Sequence, residues 1–348
     1  MSRRNFIISR IDAIGDVVLT LPMAGVLKTL YPEARVIFLG RSYTEEVVRA
    51  SVYIDEFLDW DDLKKQPPAQ AAKTMAATGA DTIIHVFPDP RIARLARKAR
   101  IRERIGTTNR IYHWWTCNRL VKLSRRHSPL HEAQLNLQLL KPLGAKELYP
   151  LEEIGNYYGL TRLAPLPAGF AALPDRNKFN LVLHPKSRGS AREWGLDNFR
   201  ELIRLLPQDQ FRIFVTGTSR EGQLLKSLFK EFPALTDLTG QLSLGQLMTF
   251  LSRVDGLVAA STGPLHLAAA VGTEALGIYP PIRPMHPGRW APIGPRVKVF
   301  VREGECEDCR ESGNCTCIRG IQATQLRDYL VSLLPIGGRP KPGNPFNQ

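Results

Sequence analysis

Residues 6–22 read FIISRIDAIGDVVLTLP: a short apolar run, a turn carrying Gly15 and Asp16, and the opening of an amphipathic stretch that continues to residue 31. Three or four apolar residues closed by a polar turn have the length of a buried strand, and the apolar residues after the turn recur at helical spacing. The alternation continues outward. Strand-length runs at 35–40, 56–60 and 81–87 are separated by helix-length stretches at 17–31, 43–51 and 69–77, with 90–102 following. The pattern then begins again, with strands predicted at 180–184, 211–216, 256–259 and 275–279 and helices at 197–206, 219–232, 244–253 and 264–271. Such alternation predicts an α/β chain with doubly wound parallel sheets. The break lies near 163–177, where Pro165, Pro167, Gly169 and Pro174 give a linker composition. The expected organisation is therefore two Rossmann-like domains, 1–165 and 166–334, with a last helix near 323–334 and a Gly/Pro-rich tail over 335–348. Two such domains facing one another leave a central cleft at the carboxyl ends of their strands, where open α/β sheets bind ligands.

Bulk composition agrees with two globular domains: 348 residues, 43% apolar and 23% charged. No run approaches the roughly 18 apolar residues of a membrane span. The first apolar run is shorter than the roughly 7–15 residues a secretory leader needs, so a cytoplasmic protein is expected. The net charge of +14 is unevenly placed, because residues 91–131 hold twelve Lys or Arg against one acid, Glu103. That window suits an anionic partner such as a phosphorylated glycolipid, a membrane surface or nucleic acid. The competing reading is a solvated basic helix face. Trp114 and Trp115 inside the window are expected to pack into the core, with a membrane interface as the alternative.

Four post-strand motifs carry the chemistry. In Arg10-Ile11-Asp12-Ala13-Ile14-Gly15-Asp16, Gly15 allows a tight turn or a close substrate approach. Asp16 reads either as a helix N-cap or as a general base at the site edge, with Asp12 as a competitor. The turn lacks the Gly-x-Gly-x-x-Gly of a dinucleotide fingerprint. The loop 184–194 brings Lys186, Ser187, Arg188, Gly189 and Arg192 together, a set suited to a diphosphate. Ser261-Thr262-Gly263-Pro264 opens a helix on which His266 follows one turn later, a favourable seat for an anion. Glu221 follows Gly217-Thr218 and reads either as a ribose contact or as a first-turn acid. Asp59 and Asp61 resemble a metal-binding pair, but they end a strand in a polar run, and no metal is expected to be required. Cys117 stands alone. Cys306, Cys309, Cys315 and Cys317 cluster at a spacing compatible with structural zinc or with reduced or partly disulfide-bonded structural cysteines.

In this order and spacing, the motifs resemble glycosyltransferase family 9, the heptosyltransferases of lipopolysaccharide synthesis. The matching segments are Ile14-Gly15-Asp16 with the residues to Pro22, the loop 184–194, Asp237-Leu238-Thr239-Gly240, the stretch 261–270, and Pro287-Gly288-Arg289-Trp290. The resemblance implies a GT-B fold and metal-independent transfer, with inversion, from a nucleotide-diphosphate sugar. ADP-heptose is the default donor, and no cofactor is required. It implies a lipopolysaccharide-core or other anionic glycolipid acceptor, with peripheral contact at the inner membrane and no nucleic acid. The catalytic base falls on Asp16. Donor contacts fall on Lys186, Ser187, Arg188, Arg192, Glu221, Leu242, Ser261, Thr262, Gly263 and His266. Arg91, Arg94 and Arg119 lie in the domain that binds acceptor. One departure is Ser261, which stands where the family commonly carries Asp; a neutral hydroxyl neither repels a diphosphate nor holds sugar hydroxyls as a carboxylate does. Readings from other classes are a GT-B-like sugar-nucleotide epimerase, which would turn over donor without acceptor, and a non-catalytic anion- or nucleic-acid-binding protein, suggested by charge alone.

Overall fold

Phe6, Ile7 and Ile8 have no exposed surface. They form β1 (Asn5–Ser9), which pairs in parallel with β2 (Arg35–Gly40) on one side and β4 (Thr82–His85) on the other. A strand covered on both faces is apolar throughout, which is why this one reads as an unbroken run. The computed structural model describes residues 4–126, 128–187, 189, 191–282, 285–304 and 315–334. The chain divides between Arg162 and Leu163 into two units, each with its own six-stranded sheet.

In the first unit, β3 (Glu56–Asp59), β5 (Glu103–Thr107) and β6 (Arg119–Val121) complete a parallel sheet of order β3-β2-β1-β4-β5-β6. In the second, β7 (Phe179–His184), β8 (Phe211–Val215), β9 (Thr236–Asp237), β10 (Gly256–Ala260), β11 (Glu274–Tyr279) and β12 (Val297–Val301) are ordered β12-β11-β10-β7-β8-β9, again all parallel. The two sheets are wound alike. In each, the chain moves outward from its first strand, returns, and starts outward on the other side with its fourth. That reversal, between β1 and β4 and between β7 and β10, leaves the connecting loops splayed at the carboxyl ends of the strands, where ligands of doubly wound sheets bind.

Three expectations need correction, one being the predicted helix 219–232, which is divided into Ser219–Leu224 and Lys226–Glu231. The predicted helix 17–31 is two helices, Ile14–Val18 and Pro22–Leu30, because Pro22 has no N–H to continue the first and fits the opening turn of the second. Gly15 lies inside the first helix and is not among the glycines in the left-handed region. The structure also adds β5, β6, β9 and β12. Three of these are edge or near-edge strands with few apolar residues, and β5 and β6 lie inside the basic window, whose charge hides the strand pattern. Edge strands tolerate charge because one side of the ladder is open.

Packing ties each sheet to the segments that carry polar side chains. In the second unit Trp194 is completely buried; its indole donates to Ile321 O at 2.9 Å and its ring meets Phe199 edge-on. The loop leaving β7 therefore ends on a fixed post. In the first unit the helix Pro22–Leu30 passes so close to Tyr157 that a Cβ on Gly25 would lie 2.5 Å from Tyr157 O. Gly-to-Ala in a helix interior ordinarily stabilises by roughly 0.5–1 kcal/mol. Gly25→Ala is expected to do the reverse, lowering stability by about 1–3 kcal/mol in urea unfolding, because backbone has to move to admit the methyl. A variant more stable than the parent would refute this close approach.

Candidate functional site

The turn after β1 is organised by one buried cation. Arg10 is 3% exposed, and its guanidinium meets Asp12 at 2.6 Å, Glu132 at 3.2 Å and Asp16. Arg125 approaches Glu132 from the other side, donates to Asn136 Oδ1 at 3.1 Å and to Val86 O at 3.2 Å. Asn136 in turn donates to Leu19 O at 3.1 Å and Thr20 Oγ1 at 3.2 Å, and the Thr20 hydroxyl donates to Asp16 O at 2.8 Å. Three carboxylates thus share two guanidinium groups at the carboxyl end of β1. Asp16 is not an N-cap: Ala13 holds that position, without a side-chain bond, and Asp16 stands inside the helix Ile14–Val18. Burial first, then the neighbouring Asp12 and Glu132, push the Asp16 carboxyl up to about 6 against the pull of Arg10. Asp12 is a more peripheral member; Tyr43 donates to its backbone carbonyl at 2.6 Å. Arg10 opens the quoted motif, but Glu132, Arg125 and Asn136 are invisible to motif reasoning. Arg125 is one of the twelve cations of the basic window, turned inward.

The other residues of that window are spread over the unit. Arg91 and Arg94 lie on the helix Pro90–Lys98, which starts at the carboxyl end of β4; Arg91 sits over the Trp60 ring, 5.3 Å from its centroid. Arg119 opens β6 and faces Glu103 at 3.6 Å, at the amino end of the sheet and so opposite the end that carries Asp16. Asp59 and Asp61 are occupied by structure. Asp59 caps the helix Trp60–Leu63 through Asp61 N at 2.7 Å, and the hydrogen bond from Lys64 holds Asp61 down at about 2.

In the second unit the predicted donor residues leave neighbouring strands on one side of the sheet. His184 ends β7 at the register of Ala259 in β10, so the loops after these two strands start side by side. The loop after β7 is braced by Glu193, which sequence reasoning passed over: it receives Lys186 Nζ at 2.8 Å and Ser187 N at 3.1 Å, and the Ser187 hydroxyl donates to Ala191 O at 2.9 Å. Ser187 is buried and Arg192 half-buried, while Arg188 lies outside the described residues. Burial keeps His184 down at about 4, so its ring is neutral; Nδ1 lies 3.1 Å from Thr216 Oγ1.

Thr262 follows β10 at the N-cap of the helix Gly263–Ala270, yet its side chain makes no capping bond. Its Oγ1 is buried with no partner, and the residue is 4% exposed. A hydroxyl so placed at a helix start is set up to meet an anion, although Pro264 has no N–H and Leu265 N–H donates to Thr262 O at 3.1 Å. His266 is buried on the same helix. Ser261 hydrogen-bonds the hydroxyl of buried Tyr279, which donates to Trp290 O at 2.8 Å, so the first residue of this motif is linked to the Pro287–Trp290 helix. After β8, Glu221 closes a capping box with Thr218, whose N–H it accepts at 2.7 Å. After β9, Gly240 has φ +69° and a Cβ there would meet Ser219 Oγ at 2.0 Å, which locks the turn before half-buried Leu242 against the Glu221 helix.

Cys117 and Cys315 are buried, and burial lifts the Cys117 thiol to about 11, which makes it inert. Cys306 and Cys309, the first two cysteines of the cluster with Cys315 and Cys317, lie outside the described residues. Among the described residues, no group of three or more His, Cys, Asp or Glu is placed to hold a metal ion.

A family model described as glycosyltransferase family 9 (heptosyltransferase) matches residues 70–317. A Haemophilus influenzae protein provisionally named a glycosyltransferase is 26% identical over 298 residues, covering 82% of this chain and 85% of that protein. Among solved structures, the glycosyltransferase family 9 protein of Veillonella parvula superposes with a TM-score of 0.79 at 16% identity, over 95% of this chain and 97% of its own. The Escherichia coli ADP-heptose lipopolysaccharide heptosyltransferase II does so with a TM-score of 0.75 at 14% identity, over 94% and 98%. At such identities the likeness carries the fold: the GT-B pair of Rossmann-like domains.

The Asp16 cluster has a consequence for stability. Its carboxyl titrates near 6 when folded and near 3.8 when unfolded, so the folded chain holds the proton more tightly, and the stability this contributes is lost as pH rises through about 6. Asp16→Asn, which cannot ionise, is expected to be more stable than the parent at pH 8 by about 1–3 kcal/mol and equal to it near pH 4, measured by urea unfolding. A variant less stable at pH 8 would mean that pairing with Arg10 outweighs burial.

Proposed function

The chain belongs to glycosyltransferase family 9, the heptosyltransferases, and on that premise we propose that it moves a heptose from ADP-heptose onto a lipopolysaccharide-core or related envelope-glycan acceptor, with inversion and without a metal ion. Asp16 is the general base. The observation that carries this is the state of its carboxyl: at the carboxyl end of β1, free of capping duty, and lifted to about 6 by burial among excess carboxylates. A base of that pKa is ionised at neutral pH yet basic enough to take a proton from an acceptor hydroxyl as the glycosidic bond breaks. Arg10 keeps the carboxylate oriented; with Asp12 and Glu132 also on Arg10, Asp16 is not tied down by a guanidinium of its own.

Donor binding falls to the loops of the second unit. The Thr262 hydroxyl and the Gly263 N–H at the start of its helix receive the diphosphate, and Ser187, Lys186, Arg188 and Arg192 supply hydrogen bonds and charge that stabilise the departing nucleoside diphosphate. Glu221, Leu242, Gly263 and His266 complete the nucleotide seat. A neutral Ser261 held on Tyr279 leaves that seat without the extra negative charge of a carboxylate. The Escherichia coli relative whose name specifies ADP-heptose and lipopolysaccharide supports this donor and acceptor. Arg91 and Arg94 in the first unit suit the phosphates of such an acceptor, and the protein works in the cytoplasm at the inner face of the membrane.

Two measurements test the reading. Asp16→Asn should lower kcat by about 10²–10⁴-fold with ADP-heptose and a lipopolysaccharide-core acceptor. In the parent, kcat/KM should fall as pH drops through about 6, where Asp16 becomes protonated. Turnover near that of the parent, in a folded variant, would remove Asp16 from the chemistry. Thr262→Val replaces an unpartnered buried hydroxyl by a methyl of similar size. The apo protein should be unchanged or slightly more stable, whereas ADP affinity by calorimetry should drop about tenfold or more, the worth of a hydrogen bond to a charged group. Unchanged ADP affinity would place the diphosphate elsewhere.

A further inference from the structure

Trp114 and Trp115 are not in the core. They are 66% and 57% exposed, and Ile111 beside them is 74% exposed, three large apolar side chains standing out from one short turn. The Trp114 indole N–H is satisfied internally, donating to Thr108 O at 2.9 Å, so no polar group of that ring calls for a protein partner. The turn is held against the helix Pro90–Lys98 by Arg97, which donates to Trp115 O at 2.8 Å. Along that helix Ile92, Ala93, Leu95 and Ala96 are buried, and the exposed positions are Arg91, Arg94, Arg97 and Lys98, every one a cation. Arg100, Arg102 and Arg110 add exposed charge on the flanks. Nearby acids are spent: Asp89 caps the helix through Arg91 N and Ile92 N, and Glu103 is paired with Arg4 at 2.7 Å and Arg119 at 3.6 Å. Beneath the helix lies a cavity of about 340 Å³ lined by Trp60, Leu63 and Leu95 together with Arg91, Arg94 and Lys98.

We infer that the helix Pro90–Lys98 and the turn 111–115 form a docking face that seats the first unit on an anionic lipid bilayer. The chemistry of the face selects this occupant. Exposed indole rings are most stable at the boundary between headgroups and acyl chains, an aliphatic apex such as Ile111 gains by leaving water, and cations around them meet anionic headgroups. A nucleic acid would use the cations but leave Ile111 in water. An acidic protein would need the apolar apex to meet a complementary hollow, whereas a bilayer accommodates it without one. The cavity, apolar within and lined by four cations counting Lys64, has the composition to take the end of an acyl chain under its phosphate. The inference places the bilayer that would carry the proposed acceptor beside the unit holding Asp16, but lipid binding is read without any sugar transfer, so the two readings fail separately.

The test is flotation of the full-length protein with vesicles of phosphatidylcholine alone or mixed with phosphatidylglycerol. Binding is expected to the mixed vesicles only, to weaken steeply with salt, and to shift Trp emission to the blue. Trp114→Ser/Trp115→Ser should abolish the blue shift and weaken binding at least tenfold, while turnover of a soluble, lipid-free acceptor stays at the parental level. Arg97→Gln and Lys98→Gln should each cost about fivefold, roughly the worth of one cation at an anionic surface. Equal binding to neutral vesicles, full retention of binding by the double Trp variant, or tighter binding of the same face to single-stranded RNA than to the vesicles would each overturn the inference. Should the double variant fail to fold, Ile111→Ser with the Arg97 and Lys98 variants carries the same test.

Discussion

A parallel strand sealed on both faces can do no chemistry along its length. β1 and β7 are such strands: the interior residues of each are fully buried, and a polar side chain there would lie in a medium where it costs several kcal/mol unpaired. All reactive groups are therefore driven to the strand ends, and a doubly wound sheet opens at only one of them. Arg10, Asp16, Lys186, Ser187, Glu221 and Thr262 stand where they do because there is no other place in this architecture for them. The same winding appears in both units, so the constraint acts twice, once on a carboxylate turn and once on a set of hydroxyls and cations.

The two sites meet their electrostatics differently. In the first unit opposite charges are buried together and left out of balance, with more carboxylates than guanidinium groups, and burial first, then this imbalance, separates Asp16 from an ordinary ion-paired acid. In the second unit one cation of the loop after β7 is already answered: Lys186 sits on Glu193, and the loop is folded around that pair. Among the described residues there, the hydroxyl of Thr262 is a neutral group buried without a partner. The chain thus stores an acid in one unit and an unmet hydrogen-bonding group in the other, and both are local departures from what stability alone would favour.

The central strands, their helices and the post-strand motifs were legible in the sequence because each is encoded locally, by a run of buried residues or by a turn. The four additional strands were not, since an edge strand such as 119–121 draws its conformation from a neighbour's ladder and not from its own composition. The network around Asp16 was legible only at its near end. Asp16 and Arg10 lie within one turn of the chain, while Glu132, Arg125 and Asn136 arrive from more than a hundred residues away, and no spacing rule reports that. Within the basic window, charge counting treated all cations alike. Arg125 is interior, Arg119 is paired at the far end of the sheet, and Trp114 and Trp115, expected inside, are outside. In the four-residue helix His113–Thr116 it is His113 and Thr116 that face inward and are buried, which leaves the two Trp residues between them on the open side.

The crowding of Asp12, Asp16 and Glu132 around Arg10 also has a bearing on how this protein would drift under selection. A laboratory population chosen for heat resistance at neutral pH, with no demand on turnover, should lose the Asp16 carboxylate early, since neutral residues relieve the crowding and nothing in the fold requires the acid. Retention of an acid at that position across a lineage would then report on catalysis, and its loss would mark a scaffold released from it.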